Sequence, residues 1–274
     1  MDNLWQWLIA PFEYQFMQNA LWASLFIAMT CGVIGSYVVL RRLAFIGDAL
    51  AHTALPGVVI AYLNGWSLIG GALIAGVMTA LGIGWLAKRS SLREDTAIGV
   101  VFTAMFALGI VLMSRAQSFR DLNHILFGNV LGVQTNELWM ILGVAIIVIV
   151  VLLLLHKELE LASFDTIHAE VAGIRTDYLR TALLVLLAFT IVTGIQVVGV
   201  ILTSALLVTP AAAASLLTRN LRTMMWVAGA IGAVSAVLGL IISYHFSVST
   251  GATIVLVCTG LFAIAVGIKH LTKR

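Results

Sequence analysis

Asp48 and His52 stand four residues apart in the run Gly47-Asp48-Ala49-Leu50-Ala51-His52-Thr53-Ala54-Leu55-Pro56-Gly57, set into an apolar segment from Ala44 to about Leu63. On a helix that spacing stacks the two side chains on one face, so a carboxylate oxygen and an imidazole nitrogen can reach one point. Oxygen beside nitrogen suits a divalent transition metal. Pro56 has no N–H; in a helix it leaves the carbonyl of His52 without its usual donor and kinks the chain beside Gly57. Broken helix at membrane depth is tolerated where it lines a cavity or is packed in protein. The run therefore offers a carboxylate, an imidazole and a carbonyl within two turns. The plainer alternative is that Asp48 and His52 bond each other, or meet water near the headgroups. An ionisable group in the apolar centre costs roughly 2.5–3.5 kcal/mol on insertion scales, which makes a functional role the default for a deep pair.

The elements that must hold this pair are set by composition. With 61% hydrophobic and 10% charged residues over 274 positions, and a mean hydropathy of +1.09, the chain is an all-α polytopic membrane protein and not a soluble domain. The net charge of +3 comes from basic residues scattered in short loops, with no patch for nucleic acid. Cys31 and Cys258 stand alone in apolar runs with no CxxC, so they suggest neither a disulfide framework nor a thiolate metal site. The N-terminus lacks the basic start of a signal peptide, so the first apolar segment is expected to be retained.

Met1 to Gln15 carries Trp5, Trp7, Pro11, Phe12 and Tyr14 and reads as an interfacial approach with an aromatic belt. Apolar segments follow at about 16–40, 44–63, 66–87, 96–113, 138–155, 181–195, 198–217, 224–242 and 250–268, which gives nine crossings in a single transmembrane domain over 1–274. The second is short and broken by Pro56, against the ~20 residues that a plain span needs. Gly70, Gly71, Gly76, Gly82 and Gly84 are expected to allow close helix contact in the third. The fifth has no polar face and is expected on the outside of the bundle.

Counting back through nine crossings from a cytoplasmic C-terminus leaves only Arg115 and Arg120, of the 15 Lys/Arg, on the outer side. The N-terminus is therefore read as outside and the C-terminus as cytoplasmic. The cytoplasmic face then carries an insert at about 157–180. Within it, Ser163-Phe164-Asp165-Thr166-Ile167-His168-Ala169-Glu170-Val171-Ala172-Gly173-Ile174 offers Ser163 or Asp165 as N-cap and Gly173 as C-terminal stop, hence a helix of about two turns. Phe164, Ile167, Val171 and Ile174 fall about a turn apart on it, an apolar stripe that the bundle, the membrane surface or a partner protein must cover.

Five stretches together resemble the permease subunits of ATP-binding-cassette importers for manganese, zinc and iron(II), a type II importer architecture. They are the Gly47 to Gly57 run, Leu126-Phe127-Gly128-Asn129, Ser163-Phe164-Asp165 with Ala169 and Gly173-Ile174, Val198-Gly199 through Ala205-Leu206-Leu207-Val208-Thr209-Pro210-Ala211-Ala212, and Ser249-Thr250-Gly251-Ala252. They fall in order from about 20 to 265. The resemblance implies a bacterial plasma (inner) membrane permease that works as a homodimer with two cytoplasmic ATPase subunits and an extracytoplasmic metal-binding protein. It implies no permanently bound cofactor, only the transported ion and the ATP held by the partner. It further implies that Asp48 and His52 line the pathway, and that Ser163, Phe164, Asp165, Ala169 and Gly173 form the segment that couples to the ATPase. No Gly-x-x-x-x-Gly-Lys-Ser/Thr loop occurs here, so ATP hydrolysis is expected elsewhere and the chain is not itself an enzyme. Manganese is the expected ion, on a mixed oxygen and nitrogen set without Cys, with zinc and iron(II) as alternatives.

Other residues are candidates for the pathway or for the arrival of metal. His245, in Tyr244-His245-Phe246, and His124 beside Asp121 both fall at outer boundaries, where a solvated histidine is the plainer reading. Pro210 frees a carbonyl in mid-membrane, for packing or for the pathway. His156 and His270 fall at cytoplasmic boundaries. A membrane metalloenzyme would need a second ligand pair such as His-Glu-x-x-His, and a secondary transporter would favour an inverted repeat; the sequence contains neither.

Overall fold

The computed structural model describes residues 7–89, 93–114 and 130–272. Asp121, His124, the 126–129 run, Arg115 and Arg120 lie outside the described residues. Among those described, nine helical segments are long and apolar enough to cross a membrane. They are α1 (Gln15–Leu40), the pair α2 (Ile46–Thr53) and α3 (Leu55–Leu63), α4 (Leu68–Arg89), α5 (Glu94–Met113), α6 (Thr135–Leu154), α9 (Thr176–Val198), α10 (Val200–Leu217), α11 (Leu221–Phe246) and α12 (Thr250–Thr272). Between α6 and α9 lie two short helices, α7 (His156–Phe164) and α8 (Thr166–Val171).

α1, α10 and α11 pack on one another, with α12 against the last two. α4 and α5 pack around the α2–α3 pair, α9 lies against α4, and α6 rests on α1 and α9. The α2–α3 span is 72% buried, against 22% for α5, α6 and α12. The element carrying Asp48 is therefore held inside the bundle, and α6 lies on its outside as its unbroken aliphatic sequence requires.

Small residues set the closest approaches, because apolar side chains have no hydrophobic drive to associate in lipid and packing decides. A Cβ on Gly32 of α1 would lie 2.6 Å from the Gly229 nitrogen of α11, and one on Gly35 would strike the Leu207 carbonyl of α10. The α4 glycines divide by face. Gly71 meets Gly57 of α3 backbone to backbone, Gly76 and Gly84 lie against Val192 and Thr181 of α9, and Gly70 and Gly82 have only ordinary contacts. Gly57→Val is therefore expected to lower the thermal midpoint of the detergent-solubilised protein, at a cost of about 1–3 kcal/mol or more for overpacking. Gly70→Ala should leave the midpoint unchanged or raise it, so equal behaviour of the two variants would refute the contact.

The joints carry the irregular backbone. α1 ends in a Schellman turn: Arg42 takes φ +60°, Arg42 N–H donates to Val39, and Leu43 N–H donates to Val38 at 2.9 Å. α9 and α10 are joined by Gly199 alone, at φ 84° and ψ 168°, a conformation essentially restricted to glycine. The helix break in the second crossing falls at Ala54, so Pro56 enters the first turn of α3, where its missing N–H costs nothing. The break leaves the His52 carbonyl opposite Pro56, which has no N–H to give it.

One boundary beside the arm differs from the sequence reading. The sixth crossing starts at Thr176 and not near Thr181, because Lys88 reaches Asp177 at 2.8 Å and Arg180 reaches it at 3.3 Å, which secures the charged first turn of α9. The insert between the fifth and sixth crossings is correspondingly shorter. Cys31 and Cys258 are both buried within their helices, at 0% and 1% exposure.

Candidate functional site

α2 turns Ile46, Gly47, Ala49, Leu50, Ala51 and Thr53 into the bundle, Gly47 lying against Leu207 of α10. The opposite face presents Phe45, Asp48 and His52. Asp48 Oδ1 and His52 Nε2 are 3.7 Å apart, with the side chains 44% and 31% exposed. That is too long for a hydrogen bond. Two ligands each about 2.0–2.2 Å from one ion lie roughly 3.0–3.5 Å apart, so the pair needs to close by only a few tenths of an ångström.

The imidazole is oriented by rings. Phe106 of α5 meets it in a T-shaped contact with centroids 5.4 Å apart, and Phe102 lies at 6.2 Å. Phe102 stacks on Phe106 and takes Phe45 edge-on. A metal-bound histidine usually donates its second N–H to a carboxylate or carbonyl; here no hydrogen bond to His52 is made among the described residues. These phenylalanines were missed in the sequence, although Phe102 and Phe106 share the i,i+4 spacing of Asp48 and His52.

Among the described residues no three His, Cys, Asp or Glu side chains come together in a way that could hold a metal. One copy of the chain thus offers two donors on an open face. Around the break between α2 and α3, these two helices with α4 and α9 border a small apolar pocket of about 70 Å³, lined by Ala51, Ala54, Leu55, Val58, Val192 and Gln196 among others. Pro210 is buried in an unbroken α10, one turn from Leu207, on which both Gly35 and Gly47 pack. His245 stacks on Trp7 with centroids 4.2 Å apart and an interplanar angle of 8°, and its Nε2 lies 2.8 Å from the Trp7 carbonyl. It thus fastens the N-terminal segment to the C-terminal end of α11.

The arm between α6 and α9 is α7 followed by α8. Asp165 is the N-cap of α8, accepting from the His168 amide at 2.9 Å. Gly173, at φ +83°, closes it: Gly173 N–H donates to Glu170 and Ile174 N–H to Ala169. The helix has six residues, fewer than two turns, because Phe164 ends α7. Phe164, Ile167 and Val171 are 64%, 77% and 82% exposed, Ala169 is fully buried, and Ile174 packs on the core. Ser163 points inward, accepting from Arg41 Nε at 3.1 Å and donating to the Leu159 carbonyl at 2.6 Å. Arg41 borders a pocket of about 290 Å³ with Glu94, Ser163, Asp177 and Arg180. Burial draws its pKa below the ordinary guanidinium value, and Glu94 opposes that.

Residues 13–269 match the profile of the ABC 3 transport family. The chain is 47% identical over 253 residues, 92% of its length and 90% of its relative's, to the manganese transport system membrane protein MntC of Listeria monocytogenes. It is 40% identical over 271 residues, 99% and 91% of the two lengths, to the chelated iron transport system membrane protein YfeD of Yersinia pestis. A chain of the solved PsaBC from Streptococcus pneumoniae in complex with Fab superposes with a TM-score of 0.83 and 35% identity, covering 96% of this chain and 95% of that one. A match that reaches from the first crossing to the last takes in the Asp48–His52 helix, the arm and every joint described above, and the chain belongs to the ABC 3 transport family.

Proposed function

We propose that the protein is the membrane permease of an ATP-driven importer that carries a divalent transition metal, manganese first, into the cytoplasm. The observation that carries this reading is the Asp48–His52 pair, two donors 3.7 Å apart on the open face of a crossing otherwise buried in the bundle. Left against lipid, such a face is costly. A second copy across a two-fold axis covers it and completes a set of two carboxylates and two imidazoles around one ion. That set contains no thiolate, which suits manganese or iron(II) as well as zinc and permits release. The names of relatives favour manganese, through MntC, and give iron as the second reading, through YfeD.

Two cytoplasmic ATPase subunits supply the energy, and the exposed Phe164, Ile167 and Val171 are the contact they take from each permease, with Asp165, Ala169 and Gly173 shaping the helix that presents them. An extracytoplasmic metal-binding protein delivers the ion to the outer face of this multi-pass protein of the bacterial plasma membrane. The N-terminus is outside and the C-terminus inside, on the distribution of Lys and Arg. The test is uptake into proteoliposomes that hold the permease with its ATPase. ATP-dependent accumulation of Mn2+ above Zn2+ and Fe2+ is expected; accumulation without ATP would overturn the importer reading, and a preference for zinc would overturn the choice of ion alone.

A further inference from the structure

Two polar contacts join the arm to the last turns of α1, and a third ties it to α9, where the Thr176 hydroxyl donates to Glu170 at 2.8 Å. The Tyr37 hydroxyl and His156 Nδ1 share a hydrogen bond of 2.7 Å, and Arg41 Nε donates to Ser163 Oγ at 3.1 Å. Tyr37 and Arg41 are one turn apart and so lie on the same face of α1. Their partners stand at the two ends of α7. Apolar contacts fill the space between, with Leu159 fully buried and Ala162 nearly so. Two fixed points one turn apart resist rotation of α7 about α1 as well as sliding along it. The first point has no substitute: Tyr37 is fully buried, so a shift of His156 strands its hydroxyl out of reach of water. His156 is itself flanked by Glu160, 3.6 Å from its Nε2.

Beyond Arg41 the linkage continues through backbone. Leu43 N–H donates to Val38, Ile46 N–H to Leu43 and Ala49 N–H to Phe45, each at 2.9–3.1 Å, so α1 passes into α2 through a hydrogen-bonded corner and not a slack loop. Asp48 lies in the first turn of α2.

From this we propose that Tyr37–His156 and Arg41–Ser163 are the rungs that transmit movement of the ATPase-facing arm to α1, and through the 41–45 corner to Asp48 and His52. The four are positioning residues. None is a ligand, and none belongs to the exposed apolar stripe. The inference rests on the importer reading above, in which the arm is where the ATPase docks. A rigid connection of this kind moves the ligand pair as a unit, whereas a transmission spread over the whole bundle would be indifferent to two hydrogen bonds.

The experiment uses the full complex in proteoliposomes and reads Mn2+ ions delivered per ATP hydrolysed, together with retention of the ATPase on gel filtration. Tyr37→Phe is expected to keep the ATPase bound and hydrolysing while the ratio falls, within the roughly 2- to 30-fold range that loss of one coupling contact produces. Tyr37→Phe/Ser163→Ala, with both rungs cut, should fall further. Tyr37→Phe/His156→Leu replaces both partners of one rung by apolar groups, so it should recover the thermal stability of the wild type yet remain uncoupled. An unchanged ratio in the variant with both rungs cut would overturn the proposal. So would hydrolysis and transport falling together, since that is what a merely structural role predicts. A wild-type complex that accumulates Mn2+ without ATP would instead bring down the importer reading and this inference with it, and the wild-type control distinguishes the two failures.

Discussion

Mn2+ uptake by the His52→Ala permease is expected to fall by about 100-fold or more, at or beyond the top of the range for loss of a residue that supports a metal site. In a two-fold assembly the substitution removes two imidazoles from the same ion, so the loss exceeds that of a single contact. Asp48→Asn, which removes two negative charges, should have a similar effect. Phe106→Ala should be milder, since it frees the His52 ring without removing it. All three proteins are expected to fold: neither Asp48 nor His52 makes a hydrogen bond among the described residues, and both are only partly buried on the isolated chain. The measurement is 54Mn uptake at matched expression. Wild-type rates in His52→Ala would take this side chain out of the pathway.

Ile167→Glu is the second large effect expected. Ile167 is 77% exposed between Phe164 and Val171, and a carboxylate at the centre of an apolar contact must be desolvated without a partner. Loss of such a central residue typically weakens association by about 30-fold or more. The ATPase should therefore fail to co-elute with the permease, whereas Ile167→Val should behave as wild type. Because Asp165 and Gly173 hold α8 from either end without using the Ile167 side chain, the permease itself should keep its thermal midpoint. Co-elution that survives Ile167→Glu would return the stripe to another role.

Crossings and arm were legible in the sequence for different reasons. The nine segments follow from hydropathy alone, and Gly173 ends α8 because it takes a positive φ that glycine adopts freely. What escaped depends on partners far along the chain. Asp177 and Arg180 read as loop residues, yet Lys88 of another helix draws them into the first turn of α9. His156 read as a boundary histidine and Ser163 as a possible cap, and both turn inward to α1 across more than a hundred residues of sequence. His245 read as a solvated boundary histidine, or as a point of arrival for metal, and its stacking on Trp7 was not foreseen. The Asp48–His52 spacing was visible, but the rings that orient His52 were hidden in a helix of uniform hydrophobicity, where periodicity carries no signal.

The burial of Cys31 and Cys258 bears on how the protein can be studied. They are the chain's two cysteines, each sealed within helix packing, and thiol reagents need both access and a thiolate. Maleimides applied from either side of a vesicle should leave them unmodified. A cysteine introduced at Ile167 or at Asn136, both exposed, would then be the one label acquired. Sidedness can be mapped with the native cysteines in place, without carving holes in α1 and α12 to build a cysteine-free background.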